Sequence, residues 1–201
     1  MSLLLSSLFI FQINSFAQND RINKRDKNDY REIISLYPKA LTSDLPPNID
    51  HEKKIGLMVL RPPRGRYLSY IHLALSYKDK ELEELRKKAH EKAKGIYRFE
   101  DPYLIIPYDY KEFEIIKSDS IRNTHFTDMM PIPNFRHWYY SFIPAFYEEA
   151  VIYLLDAKEG RFLADNCLSK SGVGLPPKWI HGYTKGLIFY KNYVFYWLEV
   201  W

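Results

Sequence analysis

The stretch from Leu187 to Trp201 decides the fold, and it reads Leu-Ile-Phe-Tyr-Lys-Asn-Tyr-Val-Phe-Tyr-Trp-Leu-Glu-Val-Trp. Two apolar runs, rich in aromatic and β-branched residues, flank Lys191-Asn192, and Asn tolerates the positive φ that a tight turn needs. The stretch therefore predicts a β-hairpin that closes the chain. Its predicted register pairs Tyr190 with Tyr193, Phe189 with Val194, and Ile188 with Phe195.

The second strand of this hairpin is largely apolar on both faces. One face carries Val194, Tyr196, Leu198 and Val200, and the other carries Tyr193, Phe195, Trp197, Glu199 and Trp201. A strand of this kind is either a central strand covered on two sides or a strand that keeps an aromatic face for a ligand. The sequence leaves both alternatives open.

The composition is that of one globular domain with an unusual share of aromatic residues. The 201 residues are 46% hydrophobic and 27% charged, and they include 17 Tyr, 12 Phe and 4 Trp. These proportions suit a packed core, and Tyr and Trp suit sheets with a wet face or a binding surface. The net charge of +4 is small, and the densest basic cluster is only Arg61, Arg64 and Arg66. We therefore expect no nucleic-acid partner, because such binding needs a clustered basic face.

Motifs for cofactors and metals are missing from the sequence. The single cysteine, Cys167, excludes an intramolecular disulfide and a thiolate zinc site. No phosphate loop, zinc-protease motif, nucleophile elbow or EF-hand pattern occurs, and no two of the six histidines have a local metal-binding spacing. We expect neither a cofactor nor a metal.

The N-terminus resembles a secretory signal peptide. Residues 3–13 are apolar and Ser15-Phe16-Ala17 supplies small residues before a cut, although no Lys or Arg precedes the apolar run. The run is too short to span a bilayer, and the alternative is a buried N-terminal strand or helix. We therefore predict a signal peptide at 1–17, a flexible mature N-terminus at 18–28, and a single globular domain at 29–201. The expected location is secreted or periplasmic, with no transmembrane segment.

Two helices are predicted from apolar periodicity. The longer runs over 79–94, with Asp79 as its cap, Gly95 at its stop, and a narrow apolar stripe of Leu82, Leu85, Ala89 and Ala93. The shorter helix begins near Asp29, ends at Pro38, and presents Tyr30, Ile33, Ile34 and Tyr37 on one face.

Strands outnumber helices in the prediction. A buried strand at 55–60 and a strand at 67–77 would form a hairpin, and further strand candidates lie at 103–107, 113–116, 149–155 and 161–163. The proline-rich, aromatic segment 129–144 excludes a long helix and favours an ordered loop packed on the sheet. The predicted fold is α+β, a mainly antiparallel sheet with the long helix on one side and the aromatic hairpin at its end.

A candidate catalytic group lies at the two ends of the loop before the hairpin. Asp165 and Cys167 stand at its start and His181 at its end. A Cys nucleophile with a His base and an Asp to orient the imidazole is chemically sensible, because the thiolate is the reactive form. The alternative is a loop whose His and Trp side chains pin the hairpin through backbone hydrogen bonds.

A candidate ligand-binding group is the aromatic face of the last strand. Tyr193, Trp197 and Trp201 share that face, and Trp179 or Trp138 could join it from loops. Sugar rings stack on such surfaces through their apolar C–H faces. The alternative is that these rings belong to the core, where large aromatic side chains are more often found.

Two functional hypotheses follow. The first is a secreted, non-catalytic binding module that recognises a glycan or a protein partner through its aromatic face. The alternative is a small secreted hydrolase that uses the Asp165–Cys167–His181 loop. No feature of the sequence indicates an oligomeric state.

Overall fold

The architecture is a six-stranded antiparallel sheet with helices on one face and irregular aromatic segments on the other. The computed structural model describes residues 24–49, 53–60, 62, 67–117, 128–138 and 144–201. The helices are α1 (Lys24–Ser35), α2 (Lys39–Thr42), α3 (Asp79–Lys92) and α4 (Pro144–Glu149). The strands are β1 (Lys53–Leu60), β2 (Ser69–Ser76), β3 (Gly95–Tyr97), β4 (Leu104–Ile105), β5 (Tyr108–Asp109), β6 (Glu114–Ile115), β7 (Pro131–Ile132), β8 (Val151–Glu159), β9 (Gly182–Tyr190) and β10 (Tyr193–Val200).

The main sheet has the strand order β1-β2-β10-β9-β8-β3, and all its neighbours are antiparallel. Two small sheets lie outside it: β4 pairs with β7 in parallel, and β5 pairs with β6 in an antiparallel hairpin. The predicted α+β class with a mainly antiparallel sheet is therefore confirmed.

The closing hairpin has the predicted register. Tyr193 pairs with Tyr190, and the next two pairs outward are those expected from the sequence. The positive φ of the turn falls on Lys191, at 52°, and not on Asn192 as the turn chemistry suggested. β10 has β9 on one side and β2 on the other, so it is a central strand.

Both faces of the main sheet are covered. On the helical face, helices α1, α2 and α3 pack over residues such as Leu73 and Leu198. On the aromatic face, Trp197 and its neighbours lie under Phe135, from an irregular segment, and Phe146, from α4. These rings meet those of the strand edge to face, which is a favoured geometry for aromatic pairs.

The two predicted helices exist with different ends. α3 begins at Asp79, but its cap position is Lys78 and no side chain caps it. The helix stops at Lys92, and Gly95 starts β3. α1 begins at Lys24, five residues before the predicted start. Part of the segment expected to be flexible, 18–28, is therefore helical, while residues 1–23, which include the predicted signal peptide, lie outside the described residues.

Three local details differ from the sequence analysis, and one prediction, the strand at 161–163, is wrong. A short helix, α4, begins at Pro144, because proline is pre-organised for the first turn of a helix. The expected return strand at 161–163 does not form. Strand β8 instead continues to Glu159 and pairs with β9, which lies much later in the chain. The strand ends before Gly160, where φ is 129°. The strand predicted as buried at 55–60 starts at Lys53 and lies at the sheet edge.

The basic cluster predicted from the sequence, Arg61, Arg64 and Arg66, lies outside the described residues. Among the helices that are described, none is both long enough and apolar enough to cross a membrane.

Candidate functional site

The three predicted catalytic residues do not assemble into a catalytic group. Asp165 Oδ1 pairs with Arg161 Nη1 at 2.5 Å, and the other guanidinium nitrogen, Nη2, lies 3.3 Å from His181 Nε2. The Cys167 thiol donates to Asn166 Oδ1 at 3.4 Å. Arg161 thus lies between Asp165 and His181, where a catalytic triad would need a direct bond from the imidazole to the carboxylate that orients it.

The arginine contact engages one nitrogen of His181. A guanidinium has only donors, so in this contact His181 Nε2 accepts from Arg161. The other ring nitrogen, Nδ1, is buried, and it has no hydrogen-bond partner among the described residues. An imidazole whose acceptor nitrogen is already engaged by an arginine is not placed to take a proton from Cys167. The hydrolase hypothesis therefore gains no support from this geometry.

The predicted stacking platform is not an exposed surface. Trp197 and Trp201 are 1% and 0% exposed, and Trp138 and Trp179 are also buried, so of the five predicted residues only Tyr193 is partly exposed. Trp201 Nε1 donates to the Trp179 carbonyl at 2.8 Å, and Trp197 Nε1 faces Thr184 Oγ1 at 3.4 Å. The rings lie in the core because the loops that carry Trp138 and Trp179 fold over the sheet. The alternative with two covered faces is the one observed.

A polar cluster that the sequence analysis did not single out lies inside the aromatic core. It joins His72 of β2, Glu199 of β10 and Tyr110, which follows β5. His72 Nε2 lies 2.7 Å from Glu199 Oε1, and the Tyr110 hydroxyl donates to the same oxygen at 2.6 Å. All three side chains are almost completely buried. Three segments distant in sequence are therefore joined at one carboxylate oxygen.

The His72 imidazole is held between two aromatic rings. The Tyr70 ring stacks on one side, with centroids 4.4 Å apart, and the Trp138 ring stacks on the other at 4.1 Å. Tyr110 meets the imidazole edge-on at 5.1 Å. The sandwich fixes the orientation of the ring and so aims its Nε2 atom at Glu199.

Burial sets the protonation preferences of this cluster. Burial lowers the pKa of His72, although the adjacent Glu199 opposes the change. Burial, followed by the nearby Glu199, raises the pKa of Tyr110 well above 10, so its hydroxyl keeps its proton and remains a donor. The second oxygen of Glu199, Oε2, is buried and has no hydrogen-bond partner in the described part of the chain. An unsatisfied buried carboxylate oxygen is rare and calls for a reason.

Tyr110 belongs to a small hairpin, β5–β6, called here the Tyr108–Ile115 hairpin. Its turn is built on Asp109, whose Oδ1 accepts from the backbone N–H groups of Lys111 at 2.8 Å and Glu112 at 3.2 Å. Asp109 Oδ2 lies 3.0 Å from His137 Nδ1. Burial acts to raise the pKa of Asp109, but these donors outweigh it and the pKa is lowered.

The tip of this hairpin presents an aromatic side chain to solvent. Phe113 is 48% exposed and has a φ of 56°, in the left-handed region that non-glycine residues seldom adopt. The loop after β8 touches the base of the hairpin: a Cβ on Gly174 would lie 2.9 Å from Pro107 and 3.0 Å from Ile115. The base of the hairpin is thus packed against the loop that carries Gly174, while Phe113 at its tip is exposed to solvent.

A metal centre is not part of this arrangement. In the residues that the structure describes, no group of three or more His, Cys, Asp or Glu side chains is placed to hold an ion. Comparison of the chain with protein-family models, with curated proteins and with solved structures finds no match in any of the three. Function is therefore inferred from the structure and sequence of this chain alone.

Proposed function

We propose that the protein is a secreted, non-catalytic binding module that recognises a protein partner through the tip of the Tyr108–Ile115 hairpin. The observation that carries the proposal is Phe113, a half-exposed aromatic side chain at the tip of a braced hairpin, in a backbone conformation that is costly for a residue with a Cβ. A positive φ of this kind costs about 1–3 kcal/mol and persists where the surroundings impose it, often at ligand-binding sites.

The chemistry around Phe113 favours a protein over a glycan. Aromatic side chains are enriched at the centre of protein interfaces. The neighbouring Lys111, Glu112 and Glu114 are exposed, so the tip surrounds one aromatic ring with charged side chains of both signs. Such a tip complements an apolar pocket with a charged, polar rim. A sugar would instead stack on indole rings, and here those rings lie in the core.

The proposal includes export, on the basis of the N-terminal sequence. The apolar residues 3–13 followed by Ser15-Phe16-Ala17 support cleavage after residue 17. Mass spectrometry of the natural protein should find a mature N-terminus at Gln18 or within a few residues of it. Recovery of the intact chain, starting at Met1, from the cytoplasm would contradict export.

The binding proposal is tested with one variant and one matched control. Phe113→Ala removes the exposed ring, and Ile96→Ala removes a similarly exposed apolar side chain from the distant strand β3. A partner cross-linked to the wild-type protein at the surface of the producing cell is purified and titrated against all three proteins. We expect Phe113→Ala to weaken binding about tenfold or more and Ile96→Ala to leave it unchanged.

Two results would overturn this proposal. One is equal affinity of the wild-type and Phe113→Ala proteins for the purified partner. The other is specific binding to a glycan array that Phe113→Ala does not affect. That result would support recognition of a glycan instead of a protein partner.

A further inference from the structure

Four large apolar side chains are exposed in the part of the chain that the structure describes: Leu36, Ile96, Phe113 and Ile180. Leu36 follows helix α1, and Ile96 lies on the edge strand β3. Ile180 is 47% exposed and follows the 3₁₀ helix Pro177–Trp179, shortly before β9. Single exposed apolar side chains are common on protein surfaces, so the meaning of Ile180 depends on what adjoins it.

The segment that carries Gly172 and Gly174 joins Ile180 to the base of the Tyr108–Ile115 hairpin. A Cβ on Gly172 would lie 3.0 Å from Ile180 Cδ1, and a Cβ on Gly174 would lie 3.0 Å from Ile115 Cγ2. The two glycines have positive φ angles of 72° and 79°, which residues with a Cβ seldom adopt. Close contact on both sides therefore depends on these two glycines.

This segment is firmly anchored in the domain. Val173, between the two glycines, is completely buried and packs in the aromatic core. The Ser169 hydroxyl donates to the Gly172 carbonyl at 2.7 Å and accepts from the Ser171 N–H at 3.3 Å. Ile180 and the hairpin therefore contact one segment whose position is fixed by the core.

The distance between Ile180 and Phe113 allows both to lie under one partner. The contacts at the two glycines, with the short steps of chain beside them, place the Cα atoms of Ile180 and Phe113 within about 27 Å of each other. A standard interface covers about 800 Å² of each partner, which is a patch about 30 Å across. Both exposed side chains therefore fit within one interface of ordinary size.

The surface beside Ile180 is basic. Lys178 lies two residues before Ile180, and Lys170 lies just before the glycine segment. Both lysines are exposed, and neither forms an ion pair with another described residue. A further cation of this loop, Arg161, is already paired with Asp165. Unpaired lysines beside an exposed apolar side chain complement an acidic surface.

We propose that Ile180, flanked by Lys170 and Lys178, is a second anchor of the binding surface that includes Phe113, and that it enters an apolar pocket with an acidic rim on the protein partner. The proposal rests on the proposed function of Phe113 and deepens it. The hairpin tip carries charges of both signs, whereas the Ile180 end carries unpaired cations. The acidic part of the partner therefore faces Ile180, which sets the orientation of the partner on the domain.

Photo-cross-linking in the producing cell tests whether the two side chains belong to one surface. The photoreactive amino acid p-benzoylphenylalanine replaces Phe113, Ile180 or Leu36 in turn, with Leu36 as the exposed control on α1. We expect the same partner protein to be cross-linked from positions 113 and 180 and not from position 36. Different proteins at positions 113 and 180 would contradict a shared surface.

Titration of that purified partner measures the second anchor and its charge. Ile180→Ala should weaken binding about five- to tenfold, and Leu36→Ala should leave it unchanged. Lys178→Glu should weaken binding about tenfold at low salt, and this loss should shrink as the ionic strength rises. Lys88→Glu, on the exposed face of α3, is the matched charge control and should have no effect. Circular dichroism first verifies that each variant is folded.

The outcomes separate this inference from the proposed function. A loss of binding in Phe113→Ala without a loss in Ile180→Ala overturns the second anchor and leaves the proposed function standing. Unchanged binding in Phe113→Ala overturns the proposed function and the shared surface together. Equal losses in Lys178→Glu and Lys88→Glu, or a Lys178→Glu loss that salt does not change, overturn the acidic rim.

Discussion

Removal of the Trp197 ring is the sharpest test of the two-sided core. The ring is 1% exposed and lies edge to face with Phe135, with centroids 5.2 Å apart. Its Nε1 faces Thr184 Oγ1, a fully buried hydroxyl. Deleting a buried Trp costs about 3–5 kcal/mol, and leaving the Thr184 hydroxyl without its donor places the loss toward the upper end of that range. We therefore expect Trp197→Ala to lower the free energy of unfolding by about 4–5 kcal/mol.

Urea titration followed by circular dichroism measures this loss, with the slope m checked for each variant. Leu198→Ala probes the opposite face of the same strand and should cost about 2–5 kcal/mol, because Leu198 is also fully buried. Phe113→Ala serves as the surface control and should change stability by less than about 1 kcal/mol. If Trp197→Ala leaves too little folded protein to titrate, Trp197→Phe provides a smaller step.

The refuting result is specific to the aromatic face. If Trp197→Ala cost less than about 1.5 kcal/mol at an unchanged m while Leu198→Ala cost its full amount, the aromatic face would be open and the helical face alone would form the core. Equal large losses from both variants agree with burial on two sides.

Three other outcomes follow from the structure. Gly186→Ala should destabilise by about 1–3 kcal/mol or more in a denaturant titration, since its Cβ would overlap the Tyr153 carbonyl oxygen. Iodoacetamide should label Cys167 at the same rate in the wild type and His181→Ala, because the thiol contacts Asn166 and the imidazole contacts Arg161. Burial lowers the pKa of His72, so stability should be complete above pH 6.5 and fall below it by up to about 1.4 kcal/mol per unit, and His72→Gln should flatten this slope.

The hairpin and the helix could be predicted because their determinants are local. The turn at Lys191-Asn192 and the alternation on each side fix the β9–β10 register without reference to other segments. The apolar stripe that includes Leu82 likewise specifies α3 by its spacing. The ends of these elements were less certain, because caps and neighbouring strands decide them: β3 begins directly after α3 because Gly95 pairs with Leu154 of β8.

The buried polar cluster could not be predicted, because its members come together only through distant pairings. His72 and Glu199 are 127 residues apart and meet because β2 pairs with β10, with Tyr70 opposite Glu199. The local signal was present but ambiguous: Glu199 is a single carboxylate on an otherwise aromatic face, and His72 lies in an apolar strand. Glu199 alone is compatible with the end of a strand, and His72 alone is compatible with a histidine of the core. The candidate group of Asp165, Cys167 and His181 stays a prediction, and the contact that the sequence did not suggest is Arg161, which lies between Asp165 and His181.

The presence of Glu199 in the core is itself an argument for a role other than stability. Its Oε2 lacks a partner among the described residues, and an unsatisfied buried acceptor costs about 1–3 kcal/mol out of a total stability of only about 5–15 kcal/mol. Replacing every member of a buried polar cluster with apolar residues often preserves or improves stability, whereas replacing one member alone leaves its partners unpaired. What an apolar cluster would not provide is a single oxygen that joins Tyr110 to His72. The carboxylate at this position therefore fixes the hairpin that carries Phe113 to strands β2 and β10 through one oxygen.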